Sequence, residues 1–172
     1  MTTPEAMIRP ACPADRPILE DALLWAVNWS PDRSPLPRRQ ILARPDLSHY
    51  VVGWPELGDR GLVVEVAGRP VGVAWWRYFP ADDPGYGFVA EDVPELSIGV
   101  HPEHRGQGIG RRLLRSLRAV AAGAGLARLS LSVERANRAR GLYLSAGFRV
   151  AGGDGGADTM VADLVRGGSA CR

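Results

Sequence analysis

Apolar residues recur at helical spacing in some stretches of the chain and alternate in others, and that change of period orders the elements. Ile18, Leu19, Ala22, Leu23, Ala26 and Val27 repeat every three or four positions, which predicts a helix over Asp15 to Asn28 with Asp15 as its N-cap. Three prolines between Ser30 and Pro37 end it. The stripe Ile109, Leu113, Leu114, Leu117, Val120 and Ala121, flanked by Arg111, Arg112, Arg115 and Arg118, predicts the clearest helix, stopped by Gly123-Ala124-Gly125. A further helix is expected over Arg135 to Ala146, with Gly147 as a left-handed C-cap. Short helical pieces are expected over Arg38 to Ala43 and Asp46 to Trp54.

Strands are expected at Met7 to Arg9, Leu62 to Val66, Val71 to Phe79, Val93 to His101, Ala127 to Val133, Phe148 to Ala151 and Thr159 to Val165. Ala67-Gly68-Arg69-Pro70 is hairpin chemistry, and Ala81 to Asp92 is a loop carrying four acids. Alternation puts Ala74, Trp76 and Tyr78 on one strand face and Trp75, Arg77 and Phe79 on the other. The order predicts one mixed α/β (α+β) domain over residues 1–166, with a flexible tail at 167–172.

Composition agrees with a packed domain: 172 residues, 45% of them apolar, can bury a core. No apolar run approaches the ~18 residues of a membrane span, and no export signal precedes the first strand, so a cytoplasmic protein away from membranes is expected. Cys12 and Cys171, near opposite ends, make no disulfide framework. The net charge of +2 conceals a division. Between Arg105 and Arg149 stand ten arginines and a single acid, Glu134, while the rest of the chain is acidic on balance. That division suits a polyanion on one side and a cation on the other. Arginine bias is the competing explanation, since the chain has no lysine; Arg115, Arg118 and Arg128 read as solvated. Nucleic acid is disfavoured, because the basic stretch lacks interleaved aromatics before Tyr143.

Arg105-Gly106-Gln107-Gly108-Ile109-Gly110 lies between a strand and a helix. Alternating glycines let backbone N–H groups converge, and the helix N-terminus adds positive potential, making an anion cradle suited to phosphates. It is not a P-loop, which needs Lys-Ser/Thr where Arg111-Arg112 stand, nor a dinucleotide fingerprint, whose third glycine falls at Arg111 and whose acid falls at Arg128.

Arg105-x-x-Gly108-x-Gly110 resembles the pyrophosphate-binding motif of the GNAT superfamily, the acyl-CoA-dependent N-acetyltransferases. The strand Leu96-Ser97-Ile98-Gly99-Val100 with Pro102, the amphipathic helix, and Asn137-x-Ala139-x-x-x-Tyr143 followed by Gly147-Phe148 extend the resemblance over Pro94 to Val150. It implies a mixed, mostly antiparallel sheet of six or seven strands, with a V-shaped splay between the two central strands and a bulge in the first of them. It implies that the Ile98, Gly99 and Val100 backbone pairs with the pantetheine arm of acetyl-CoA. The amides of Arg105, Gly106, Gln107, Gly108, Ile109 and Gly110, with Arg111, would hold the pyrophosphate; Asn137 would bond the pantetheine or adenine end, and Tyr143 would lie near the sulfur. The implied activity is transfer of acetyl from acetyl-CoA to a primary amine in a ternary complex. A non-catalytic acyl-CoA-binding sensor or partner module is the alternative.

Amine acetylation needs a proton removed from an ammonium and one delivered to the departing thiolate. Glu95 is the candidate base, acting through a water, with Leu96 and Ile98 expected to dry its surroundings and raise its pKa. Tyr143 is the candidate acid, and the Val100 N–H a donor to the developing oxyanion. Glu134, which ends a strand, is the alternative base, but Arg135, Arg138 and Arg140 beside it favour a paired structural carboxylate. His101 and His104 lack further metal ligands, so no metal is expected, and Cys12 lacks a basic neighbour. Asp82, Asp83, Glu91, Asp92 and Glu95, with Trp25, Trp29, Tyr50, Trp54, Trp76 and Tyr78, suit a cationic amine as acceptor. The pattern names neither that amine nor whether the protein is a monomer or a homodimer.

Overall fold

The computed structural model describes residues 5–164; the expected tail at 167–172, Cys171 and the end of the last expected strand lie outside them. The elements run β1 (Ala6–Pro10), α1 (Arg16–Val27), α2 (Arg38–Ala43), α3 (Pro45–Ser48), β2 (Arg60–Val66), β3 (Arg69–Arg77), β4 (Glu95–Val100), α4 (Ile109–Gly123), β5 (Arg128–Glu134), α5 (Ala139–Ser145), β6 (Arg149–Gly153) and β7 (Ala157–Asp163). No described helix is long and apolar enough to cross a membrane.

The strands make one seven-stranded sheet in the order β1-β2-β3-β4-β5-β7-β6. Every neighbouring pair is antiparallel except β4 and β5, which run parallel. Pattern and turn chemistry explain the pairing. Ala67 and Gly68, at φ 51° and 73°, close β2 onto β3 in a two-residue turn.

Two apolar layers cover the sheet. On one face, Leu113, Leu114 and Leu117 of α4 pack on Leu62, Val64, Ala74, Trp76, Leu96, Leu129, Leu131 and Met160. On the other, Ile18, Leu19, Ala22 and Leu23 of α1, with Ile41 and Leu47, pack on Val63, Val73 and Trp75. The alternation expected on β3 therefore holds: Ala74 and Trp76 enter the α4 layer, Trp75 and Phe79 the α1 layer.

Between β4 and β5 the ladder consists of one residue pair, Glu95 with Ser130, and the Ser130 N–H donates to the Pro94 carbonyl at 3.1 Å. Beyond that fork the strands diverge, giving the expected V. The expected bulge is absent from β4: its register with β3 runs uninterrupted from Arg77–Glu95 to Gly72–Val100. The divergence instead coincides with α1 packing on the β4 limb, where a Cβ on Gly99 would stand 2.6 Å from the Ala22 Cβ, while Trp29, just after α1, bonds Glu134 at the end of β5.

Local differences from the sequence pattern have physical causes. Asp15 does not cap α1 with its side chain; its carboxylate accepts from the Cys12 N–H (2.8 Å) and from both terminal nitrogens of Arg9 (2.8 and 2.9 Å), whose bonds hold its pKa down at about 2. The helix expected from Arg135 starts at Ala139, because the Arg135 N–H donates to Gly156 and Asn137 Oδ1 accepts from the Ala139 N–H (2.9 Å). Arg118 is not solvated: it bonds the Ala146 carbonyl at the end of α5, and its guanidinium lies 5.7 Å from the Phe148 ring centroid. Gly147 ends α5 at φ 90°, as expected.

Candidate active site

The β4 limb offers its backbone to the V. The His101 N–H donates to Val71 at 2.8 Å, so strand alternation turns the polar groups of Gly99 and Ser97 toward β3 and those of Ile98 and Val100 toward the gap. Arg105 Nε donating to the Val100 carbonyl at 3.1 Å agrees with this. Gly99, between them, contributes its missing side chain instead, the space being taken by Ala22.

At the wide end lies the glycine loop. Gly106 and Gly108 adopt φ of 73° and 79°, and a Cβ on either would meet nothing within 4 Å, so backbone conformation is what requires glycine there. Gly108 stands at the N-cap of α4, and the first turn closes with the Arg112 N–H on the Gly108 carbonyl (3.1 Å). The N–H groups of Ile109, Gly110 and Arg111 are thus left at the helix start without intrahelical partners. A Cβ on Gly110 would meet Leu142 and Val100 only at ordinary van der Waals distance, and Gln107 Nε2 donates to the Glu103 carbonyl (3.3 Å). From Arg111 a groove of about 550 Å³ continues between α4 and α5, lined by Arg115, Arg118, Leu114 and Leu142. This cradle fits a diphosphate: donors without partners, no Cβ in the way and arginines behind.

Glu95 sits at the apex of the V. The residue is 4% exposed; Oε1 accepts from the Tyr50 hydroxyl (2.7 Å) and the Gly87 N–H (3.0 Å), and Oε2 has no hydrogen-bond partner among the described residues. Burial raises its pKa to about 7 against the opposing effect of those two bonds. The dryness does not come from Leu96 and Ile98, which point into the α4 layer. It comes from Tyr50 and Phe79 and from the loop before β4: a Cβ on Gly85 would stand 2.0 Å from Oε2, and one on Gly87 2.4 Å from the β5 backbone at Leu131. Both glycines let that loop lie across the fork.

Sequence reasoning missed how Tyr50 is delivered. Arg77, the cross-strand partner of Glu95, donates to the carbonyls of His49 (2.9 Å) and Val52 (2.5 Å), and Trp75 Nε1 donates to that of Tyr50 (3.0 Å). Arg77 is itself buried and paired with Asp59 at 2.9 Å. Alternate residues of β3, Trp75 and Arg77, thus clamp the turn carrying Tyr50. The only signal in the sequence was an arginine on the apolar face shared by Trp75 and Phe79.

Tyr143 lies on the other side of the sheet, buried in the α4 layer with its ring 6.0 Å from that of Phe148. Burial raises its pKa, keeping the phenol protonated at neutral pH. Asn137 spends Oδ1 on the start of α5, leaving its NH₂ group free of that bond.

Glu134 does not pair with the arginines that follow it. Arg135 and Arg140 both grip Asp158 at 2.8 Å, while Glu134 accepts from Trp29 Nε1 (3.0 Å) and Arg33 Nη2 (2.9 and 3.0 Å). Burial opposes ionisation of Glu134, yet these bonds leave its pKa below the ordinary value. Of the expected acceptor-side aromatics, Trp76 faces the α4 layer and Trp54 is core; Tyr50 and Trp29 are the ones that bond carboxylates. Among the described residues no three His, Cys, Asp or Glu side chains gather, and His101 Nδ1 accepts from the Glu103 N–H (3.3 Å).

Comparison with known proteins matches this architecture. The family model for acetyltransferases of the GNAT family covers residues 22–148. Among solved structures, yncA from Salmonella typhimurium, determined with its cofactor acetyl-CoA, is 25% identical at a TM-score of 0.68, covering 97% of this chain and 99% of that one. Ribosomal-protein-alanine N-acetyltransferase from Brucella melitensis is 28% identical at a TM-score of 0.63, covering 90% and 96%. The paia N-acetyltransferase from Thermoplasma acidophilum, in complex with coenzyme A, shares the fold at 20% identity and a TM-score of 0.68, covering 92% and 99%. No curated protein sequence matches the chain. With the family model spanning the forked sheet, the glycine loop and α5 alike, the chain belongs to the GNAT family of acetyltransferases.

Proposed function

We propose that this protein transfers an acetyl group from acetyl-CoA to a primary amine by direct attack within a ternary complex. Glu95 serves as base through a water and Tyr143 as acid. The observation that carries the reading is the unpartnered Oε2 of a buried carboxylate at the apex of the fork, with a pKa of about 7. A base poised near neutrality takes a proton from an ammonium without being permanently protonated itself.

The two groups divide the work by face. Glu95, on the α1 side, would meet the amine; Tyr143, on the α4 side, would protonate the leaving thiolate. Ile98 and Val100 turn their backbone groups toward the gap, where they would pair with the pantetheine arm, and the Val100 N–H would stabilise negative charge on the carbonyl oxygen. Arg105, Gly106, Gln107, Gly108, Ile109, Gly110 and Arg111 would hold the pyrophosphate, and the Asn137 NH₂ group is available to the pantetheine or adenine end. A binding module without catalysis has no use for a dry carboxylate with one oxygen left bare.

The test is thiol release from acetyl-CoA across a panel of primary amines, with mass spectrometry of the products. Amine-dependent release with an acid limb near pH 7 is expected. Tight coenzyme A binding with no release from any amine would replace this reading with the non-catalytic one.

A further inference from the structure

Glu134 is a carboxylate that the chemistry above does not use. It ends β5 four residues beyond Ser130, which places it ~13 Å along the strand from the fork. Leu129, Leu131 and Val133 enter the α4 layer, so Ser130, Ser132 and Glu134 share the face of Glu95. The α1 side of the V thus has a carboxylate at each end, with buried Ser130 and half-buried Ser132 between them beside the Gly85–Gly87 loop.

The far carboxylate already holds a cation. Arg33, from the proline-rich segment between α1 and α2, reaches both Glu134 oxygens through Nη2, and its guanidinium lies 5.3 Å from the Trp29 ring centroid. Trp29 in turn donates its indole N–H to the same carboxylate, fixing the ring beside it. An ionised carboxylate next to an indole face is a receptor for an organic cation. Arg33 and Glu134 are both about half exposed, and an exposed pair of this kind is held weakly enough to be displaced.

We propose that Glu134 and Trp29 form a subsite for a second positive group on the acceptor, an ammonium or guanidinium remote from the reacting amine, and that Arg33 is the protein's own stand-in for it. This rests on the acetyltransferase reading and narrows its acceptor to an amine bearing a further cation within ~13 Å of the reacting nitrogen. Displacement of Arg33 frees its loop beside the acceptor, so the subsite selects dications over neutral-tailed amines of equal length.

Two measurements on the full chain test it. One is calorimetric titration with hexane-1,6-bis(trimethylammonium), a dication that cannot be acylated. The other is the ratio of kcat/KM for α,ω-diaminoalkanes to that for monoamines of the same length. Arg33→Ala is expected to tighten the dication and raise the ratio about fivefold; Glu134→Gln is expected to weaken the one and bring the other toward unity. Affinity and ratio unchanged in both variants, or weakened by Arg33→Ala, would overturn the subsite. Absence of turnover with every amine would sink the acetyltransferase reading instead, while the calorimetry still decides the subsite.

Discussion

The Tyr50 hydroxyl donates to Glu95 Oε1 at 2.7 Å while accepting from the Tyr86 N–H at the same distance, so one phenol ties the candidate base to the loop that covers it. With the Gly87 N–H also on Oε1, Oε2 is the oxygen left to accept a proton in the proposed chemistry. Tyr50→Phe removes a donor that favours the carboxylate, so the Glu95 pKa rises further. The acid limb of kcat/KM, expected near pH 7 in the parent protein, should move alkaline by about one pH unit, with activity on the alkaline plateau largely retained. A merely structural role for Tyr50 would change stability and leave the limb in place.

Glu95→Gln should lower kcat about 100-fold and abolish that limb. It also has a signature in stability. The carboxyl ionises near 4.5 when exposed and near 7 in the fold, so between those values the native state binds more protons than the unfolded chain. Stability therefore falls as pH rises through this window, by up to about 3 kcal/mol once the window is passed. Thermal melts from pH 5 to pH 8 should show the decline in the parent protein and its loss in Glu95→Gln.

Tyr143→Phe keeps the ring that packs on Phe148 and removes only the phenolic hydroxyl. Turnover should drop about 10- to 100-fold, with coenzyme A affinity and melting temperature nearly unchanged. Equal turnover in both proteins would dismiss Tyr143 as the acid.

Gly108→Asp forces a β-branchless but charged side chain into the left-handed region at φ 79°, at the helix start where anion-binding N–H groups converge. The backbone cost is about 1 kcal/mol. Coenzyme A binding, followed by calorimetry, should be lost while the melt remains cooperative.

Gly85→Ala would drive a methyl group to 2.0 Å from Glu95 Oε2. The loop or the carboxylate must shift, costing about 1–3 kcal/mol. Because the alternative to strain is admitting water to Glu95, the acid limb should move toward lower pH. A variant with parental stability and an unmoved limb would contradict the close approach.

The helical stripe from Ile109 to Ala121, the glycine loop ahead of it and the strands on either side were readable from period and composition, because each is governed by interactions within a few residues. Glu95 and Tyr143 were singled out through resemblance and chemistry. The cause assigned to the dryness of Glu95 was wrong: neighbours in sequence on a strand face the opposite side, and the covering came from Tyr50, Phe79 and the Gly85–Gly87 loop. Glu134 was likewise assigned to Arg135, Arg138 or Arg140, its neighbours in sequence. Its partners Trp29 and Arg33 lie about a hundred residues away.

By itself the amino-acid order determined the local chemistry: where helical and strand periods lie, where a backbone can turn left-handed to gather N–H groups, and which stretch of the chain concentrates positive charge. Tertiary structure alone decided the uninterrupted register of β4 at the fork, the oxygen of Glu95 left without a hydrogen bond, and the separation of Glu95 and Tyr143 onto opposite faces. Those features depend on α1 packing on β4 and on a loop lying across two strands that pair at a single residue, and long-range packing of that kind leaves no periodic trace in the chain.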